Sequence, residues 1–245
     1  MTSTRVRPHV ARVLERTRAV LFAVNGATCD LYPEMDAAAV AGDIRDRLTA
    51  HGHRMSLLTL IVADPLWMLD YAHKVRRDYG TEAEETLREA EMAAALTAVP
   101  TPGASEVLAA CKASGRPVAM VGDTCTAAIE SYLDAHDLRH LVGPVIGREQ
   151  RQPATQEPGL ELLWQAALML NAEPSDCTLI SVSSQEMFVA SDAGVQAIGV
   201  VSKYGKRKHL ADVGGSVAVS SMRQLAEALT AVPITNDSGT SPHRH

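Results

Sequence analysis

The sequence predicts an α/β protein, a parallel sheet flanked by helices with a helical segment inserted after the first strand. Three observations predict it. Short apolar runs with little alternation recur at 19–24, 117–121, 142–146, 177–182 and 196–201, the pattern of strands buried on both faces. Between the later runs lie helical stretches of about ten residues, the spacing of βαβ units. Aromatic residues make up only 4% of the 245 residues while hydrophobic residues make up 46%. Small aliphatics therefore fill the core, which suits helices packed on a sheet better than an aromatic-rich sandwich.

Taken in order, residues 19–24 form a buried strand that stops at Asn25-Gly26, and a polar turn at a strand end is where α/β proteins place their sites. Segment 31–98 reads as a helical insert, with helices at 37–49, 65–79 and 81–98 and an apolar run at 57–62. Pro100-Thr101-Pro102-Gly103 punctuates the chain. After it come a helix at 104–114 closed by Gly115, a strand at 117–121, a helix at 126–136 and a strand at 142–146. A helix at 159–171, a strand at 177–182, a helix at 185–193 closed by Gly194, a strand at 196–201 and a helix at 221–231 complete the pattern. The division expected is an N-terminal arm with the first strand (1–30), the insert (31–98), the core (99–234) and a polar, disordered tail (235–245).

The formal net charge of −6, from 23 Lys+Arg and 29 Asp+Glu, leaves no general footprint for nucleic acid. No apolar run reaches the roughly 18 residues of a membrane span. Residues 1–18 carry Arg5, Arg7, Arg12, Arg16 and Arg18 without an apolar stretch, unlike a signal peptide, so a cytoplasmic protein is expected. Cys29, Cys111, Cys125 and Cys177 follow no zinc or CxxC spacing and read as reduced thiols. Cys125 has no histidine beside it in sequence to make it a nucleophile. His51 with His53, and His243 with His245, have ligand-like spacing but read as surface or tail residues. The basic run 203–209 reads as a solvated loop rather than an anion site. Trp67, Met68 and Tyr71 could line a partner groove or pack the insert's own stripe.

The chain resembles the haloacid dehalogenase-like (HAD) hydrolases of the small-helical-cap, phosphoglycolate phosphatase-like kind, over about residues 18–229. Phe22-Ala23-Val24-Asn25-Gly26-Ala27-Thr28-Cys29-Asp30 is similar to the first motif, an apolar strand followed by Asp-x-Asp-Gly-Thr. The insert after it looks like the cap. Val118-Ala119-Met120-Val121-Gly122 resembles the second motif, Gly143-Pro144-Val145-Ile146-Gly147-Arg148 the approach to the third, and residues 179–200 the fourth. The resemblance implies a Rossmann-like, HAD-like core with a small helical cap.

It also implies which positions should carry chemistry, and there the chain departs from the pattern. The family's nucleophilic and acid/base aspartates fall on Ala23 and Asn25, and the phosphate-binding hydroxyl on Gly122. The lysine falls on Gln156 or Gln152, and the first metal carboxylate on Val182, leaving Glu186 as the second. Phosphoryl transfer needs a nucleophile, a metal and a charge clamp, and Mg²⁺ needs carboxylate oxygens. No catalytic residue and no cofactor is therefore assigned, Mg²⁺ being lost. The expected function is a pseudoenzyme that binds a protein partner or a small ligand in the core/cap cleft through Asn25, Gly26, Asp123, Thr124, Gln156 and Glu186. A homodimer, a regulatory role, and a turn-only role for Asn25-Gly26 stay open. Gly122-Asp123-Thr124 also looks like the fourth motif's Gly-Asp-Ser, and Asp123 or Thr124 could cap the next helix. The alternative is a hydrolase of a small phosphorylated metabolite using Asp123, Glu186, Asp30 and Thr28.

Overall fold

The structure, a computed structural model, describes residues 6–31, 35–148, 158–201 and 217–234. Gln152, Gln156, the basic run 203–209 and the tail from 235 lie outside them. The core is a six-stranded sheet in the order β5-β4-β1-β6-β7-β8, with every neighbouring pair parallel. Its strands are β1 (Ala19–Ala23), β4 (Val118–Val121), β5 (Val145–Ile146), β6 (Cys177–Ser181), β7 (Gln196–Val200) and β8 (Val217–Val219). β1 is buried along its whole length, because helices cover both faces. The chain runs from β1 to β4 and β5 on one side, then crosses to β6, β7 and β8 on the other. This reversal of order opens a crevice at the carboxyl ends of β1, β4 and β6.

The insertion leaves the core through β2 (Cys29–Asp30) and returns through β3 (Val99–Pro100), which pair antiparallel. Between them lie α2 (Ala37–Ala50), α3 (Leu57–Leu60), α4 (Pro65–Val75) and α5 (Arg77–Ala95). Side-chain oxygens start three of these helices: Asp36 accepts the Ala39 N–H at 3.0 Å, Ser56 that of Thr59 at 3.2 Å, and Asp64 that of Leu66 at 2.9 Å. Each satisfies an end donor with no intrahelical partner. The insertion has its own apolar cluster, including Ile44, Leu48, Met68, Leu69 and Leu87, separate from that of the sheet. Met68 belongs to that cluster, while Trp67 stacks on Tyr71. His51 pairs with Glu82 and His53 bonds the Tyr71 hydroxyl, so both histidines staple the insertion.

The sequence placed the α4/α5 boundary about four residues too late, because no glycine or proline marks it. Arg76 breaks the helix with extended backbone (φ −164°, ψ 142°), its guanidinium 4.0 Å above the Tyr79 ring centroid and paired with Asp78. The apolar run 57–62 is one helical turn, with Leu57, Leu58 and Ile61 exposed. The core helices are α6 (Ala104–Ala113), α7 (Thr126–Ala135), α8 (Pro158–Met169), α9 (Ser184–Asp192) and α10 (Met222–Ala231).

Three elements were not read from sequence: the β2–β3 ribbon, β8, and α1 (Pro8–Arg16), which lies in what reads as an arginine-rich arm. α1 is amphipathic, and it seats Val10 and Leu14 in the core. Arg116 explains why it docks. This side chain is 1% exposed, and it donates to the carbonyls of Leu14 and Thr17 at the end of α1 and of Leu229 and Val232 at the end of α10. A cation at two helix C-termini meets their orphan carbonyls and their dipoles together. No helix among the described residues is long and apolar enough to cross a membrane.

Candidate functional site

The end of β1 is built by main-chain geometry. The Thr28 hydroxyl donates to the Ala23 carbonyl at 2.8 Å, and Gly26 N–H reaches the Cys29 carbonyl at 2.6 Å, so residues 23–29 close on themselves. Thr101 donates to the Gly26 carbonyl at 2.9 Å, fastening the turn to the segment that returns from the insertion. Gly26 is required twice over. Its φ is +80°, and an added Cβ would lie 2.5 Å from Val182 Cγ2. The Val182 methyl is therefore packed on the first-motif turn, and Gly122 lies against Val24 in the same way, with 3.2 Å between its would-be Cβ and that side chain.

Above this floor, at the crevice predicted by the strand order, is a cavity of about 590 Å³. Ala23, Gly122, Asp123 and Glu186 line it from the core, and Leu66 and Asp70 from α4. Of the residues expected to contact a ligand, Asp123 and Glu186 are thus brought together. Asn25 and Gly26 lie outside the lining, Asn25 being an exposed bridge partner of Cys29. Thr124 is buried and also outside it. Asp30 is exposed in β2, and the Thr28 hydroxyl is committed to Ala23. The N-cap position of α7 is Cys125, without a side-chain cap bond of its own, and Asp123 and Thr124 precede it. Burial pushes the Cys29 and Cys111 thiols up to about 12 and Cys177 to about 11, as idle, packed thiols require.

Acidic and apolar residues share the cavity with Ser183 and Gln185. Asp70, Asp123, Glu186 and Asp192 line it beside Leu162, Leu163, Leu179, Phe188 and Val189, with no lysine or arginine among the described lining residues. Ser181 accepts the Ser183 N–H at 2.9 Å and donates its own proton to Glu186. Loss of solvation holds the Glu186 carboxyl above its ordinary range, the Ser181 hydroxyl opposes this, and Asp123 adds to it. These residues do not fit a magnesium ion. Ala23 and Val182 present only aliphatic carbon, and the described residues hold no group of three or more His, Cys, Asp or Glu arranged for a metal.

The raised Glu186 carboxyl makes a prediction. The folded chain binds this proton more tightly than the unfolded chain, so its stabilising contribution is complete at acid pH and is lost as pH rises through the folded value. Glu186→Gln removes that dependence. Its melting temperature is expected to rise relative to wild type between about pH 4 and pH 8, and a pH-independent difference in thermal melts would refute the assignment.

The strongest electrostatic feature of the region was not singled out from sequence. Arg148, 4% exposed, follows β5 and reaches two carboxylates on α5: Nε and Nη2 donate to Glu84 at 2.8–3.2 Å, and Nη1 and Nη2 to Glu91 at 2.6 and 2.8 Å. Glu91 is itself only 2% exposed. The one signal available was the seven-residue spacing of Glu84 and Glu91, two turns on one helix face. That spacing does not say which cation meets it.

No protein-family model matches the chain. Among curated proteins it is similar to the bifunctional riboflavin kinase/FMN phosphatase of Arabidopsis thaliana, 29% identical over 110 residues. The match takes in 44% of this chain and only 28% of that protein. Solved structures match nearly end to end. A HAD family hydrolase from Deinococcus radiodurans R1, with bound phosphate and sodium, aligns at TM-score 0.57 and 20% identity over 89% of this chain and 99% of its own. A hydrolase from Pseudomonas syringae aligns at TM-score 0.63 and 16% identity over 89% and 100%. The β-phosphoglucomutase of Clostridium difficile aligns at 0.60 and 15% over 88% and 98%. The chain has the fold of the HAD-superfamily hydrolases.

Proposed function

We propose that this chain is a non-catalytic protein of the HAD fold that acts by binding a ligand in the crevice between the sheet and the insertion, the insertion serving as its cap. The observation that carries this reading is the packing at the ends of β1 and β6. Ala23 sits where the fold's reaction needs a nucleophilic carboxylate, and Val182, packed on Gly26, where it needs a metal ligand. Neither side chain can form a covalent phosphoryl intermediate or hold a cation.

The lining also bears on the ligand. Four carboxyl groups line the cavity. The aliphatic walls and Phe188 suit an occupant with apolar surface. Cofactor-free binding, rather than Mg²⁺ chemistry, follows from the same residues.

A hydrolase is the second reading, and one observation favours it: Asp123 and Glu186 share the cavity, and a carboxyl raised by burial, as Glu186 is, is a candidate general acid. Assay with p-nitrophenyl phosphate separates the two. The expected outcome is no release above the buffer blank with or without Mg²⁺, and no displacement of backbone amide signals by inorganic phosphate. Turnover that disappears in Asp123→Asn or Glu186→Gln would overturn the binding reading in favour of the enzyme.

A further inference from the structure

We infer that Arg148, Glu84 and Glu91 form a relay that positions the β4–α7 loop, and with it Asp123 in the cleft, according to how α5 of the insertion sits on the core. The inference concerns the mechanics of the cleft, and it stands whether that cleft binds or catalyses.

Three consecutive loop residues have a main-chain group held by this cluster. The Asp123 carbonyl accepts from Arg148 Nη1 at 2.8 Å. The Thr124 carbonyl accepts the main-chain N–H of Arg148 at 3.0 Å. Cys125 N–H, at the start of α7, donates to Glu91 Oε2 at 2.9 Å. Buried main-chain groups must be paired, and here the partners of Asp123 and Cys125 are ionised side chains, which make the stronger class of hydrogen bond. The Glu91 carboxylate also sits at the positive end of the α7 dipole. Hence α5 holds the loop both directly, through Glu91, and indirectly, through the guanidinium.

Packing supports the same conclusion. The outer half of α5 contributes Ala83 and Leu87 to the apolar cluster of the insertion, while Ala95 near its end belongs to the cluster of the sheet. Glu84 and Glu91 lie between these two attachments. A shift of α5 by a few ångströms must break the bonds to Arg148 or drag the loop along, since a buried guanidinium stripped of its carboxylates is severely destabilising. Asp123, which lines the cavity, moves with its own carbonyl. Arg148, Glu84 and Glu91 are absent from that lining, so they are positioning residues.

Truncating Arg148 or Glu91 is unsuitable as a first test, because an uncompensated buried charge could prevent folding. The Glu84 side chain is 28% exposed and is bonded by Arg148, so Glu84→Gln reports transmission through Arg148 while the Arg148–Glu91 pair stays intact. In the full chain, hydrogen exchange of residues 122–126 is expected to rise about tenfold in Glu84→Gln, the scale of one lost charge-assisted bond, while exchange in β6 and β7 is unchanged. The Cys125 amide resonance should shift although Glu84 does not touch it. Val219→Ala, in the buried edge strand β8, is the control that weakens the core without touching the relay. Exchange at 122–126 unchanged in Glu84→Gln, or raised there only in proportion to β6 and β7 as in Val219→Ala, would overturn the proposal.

Discussion

Arg116→Met is expected to lower the unfolding free energy by about 3–5 kcal/mol. Methionine nearly conserves the volume, so the loss is polar in origin. The carbonyls of Leu14, Thr17 and Val232, at 2.8–3.1 Å from the guanidinium, belong to the main chain and cannot be replaced by apolar groups. Each buried acceptor left unpaired costs about 1–3 kcal/mol. Arg116→Lys keeps the charge but not the planar fork that reaches four carbonyls, and should fall between wild type and methionine. Urea unfolding of the three proteins tests the ordering, and a methionine variant within about 1 kcal/mol of wild type would show that the helix ends find other donors.

Gly147→Ala is expected to destabilise by about 3 kcal/mol or more, although the change is one methyl group. An added Cβ would lie 2.5 Å from the Thr126 N and 2.6 Å from the Thr124 carbonyl oxygen. Main chain cannot rotate away as a side chain would, so β5 must retreat from the start of α7. The retreat would also break the bond from Arg148 N–H to Thr124 and pull the guanidinium from the loop. The variant should therefore lose stability and show altered amide resonances at 123–125. Near-wild-type urea unfolding would mean that the 146–148 segment shifts freely. Gly122→Ala is the comparison: its would-be Cβ lies 3.2 Å from the Val24 side chain, which can adjust, so a smaller loss is expected.

Much of the core was legible because a parallel sheet buries its strands on both faces. β1, β4, β6 and β7 each fall within an apolar run bounded by turn residues, and β1, β6 and β7 each end one residue short of expectation. What escaped depends on partners distant in sequence. β8 is three residues long and is a strand only because Ile198, Gly199 and Val200 offer it an edge. α1 has arginines on its solvent face and is held by Arg116, about a hundred residues away. β2 and β3 are two residues each, and they pair because the insertion brings its ends together. The cleft followed the same division. Asp123 and Glu186 were read as neighbours from the motif order, since strand ends in this fold converge on the switch point. Asn25 was expected there and instead bridges Cys29 beside the lining.

Composition and motif spacing alone determined the fold class, the place of the helical insertion, and the identity of the side chains at the ends of β1, β4 and β6, since these are local properties of the chain. Only the tertiary structure decided that Val182 packs on Gly26, that the cavity collects four carboxylates, and that Arg148 meets Glu84 and Glu91 across the junction between insertion and core. The reason is physical. Close packing and buried ion pairs are set by which surfaces meet, and residues 84, 91 and 148 share neither an element nor a period from which that meeting could be read.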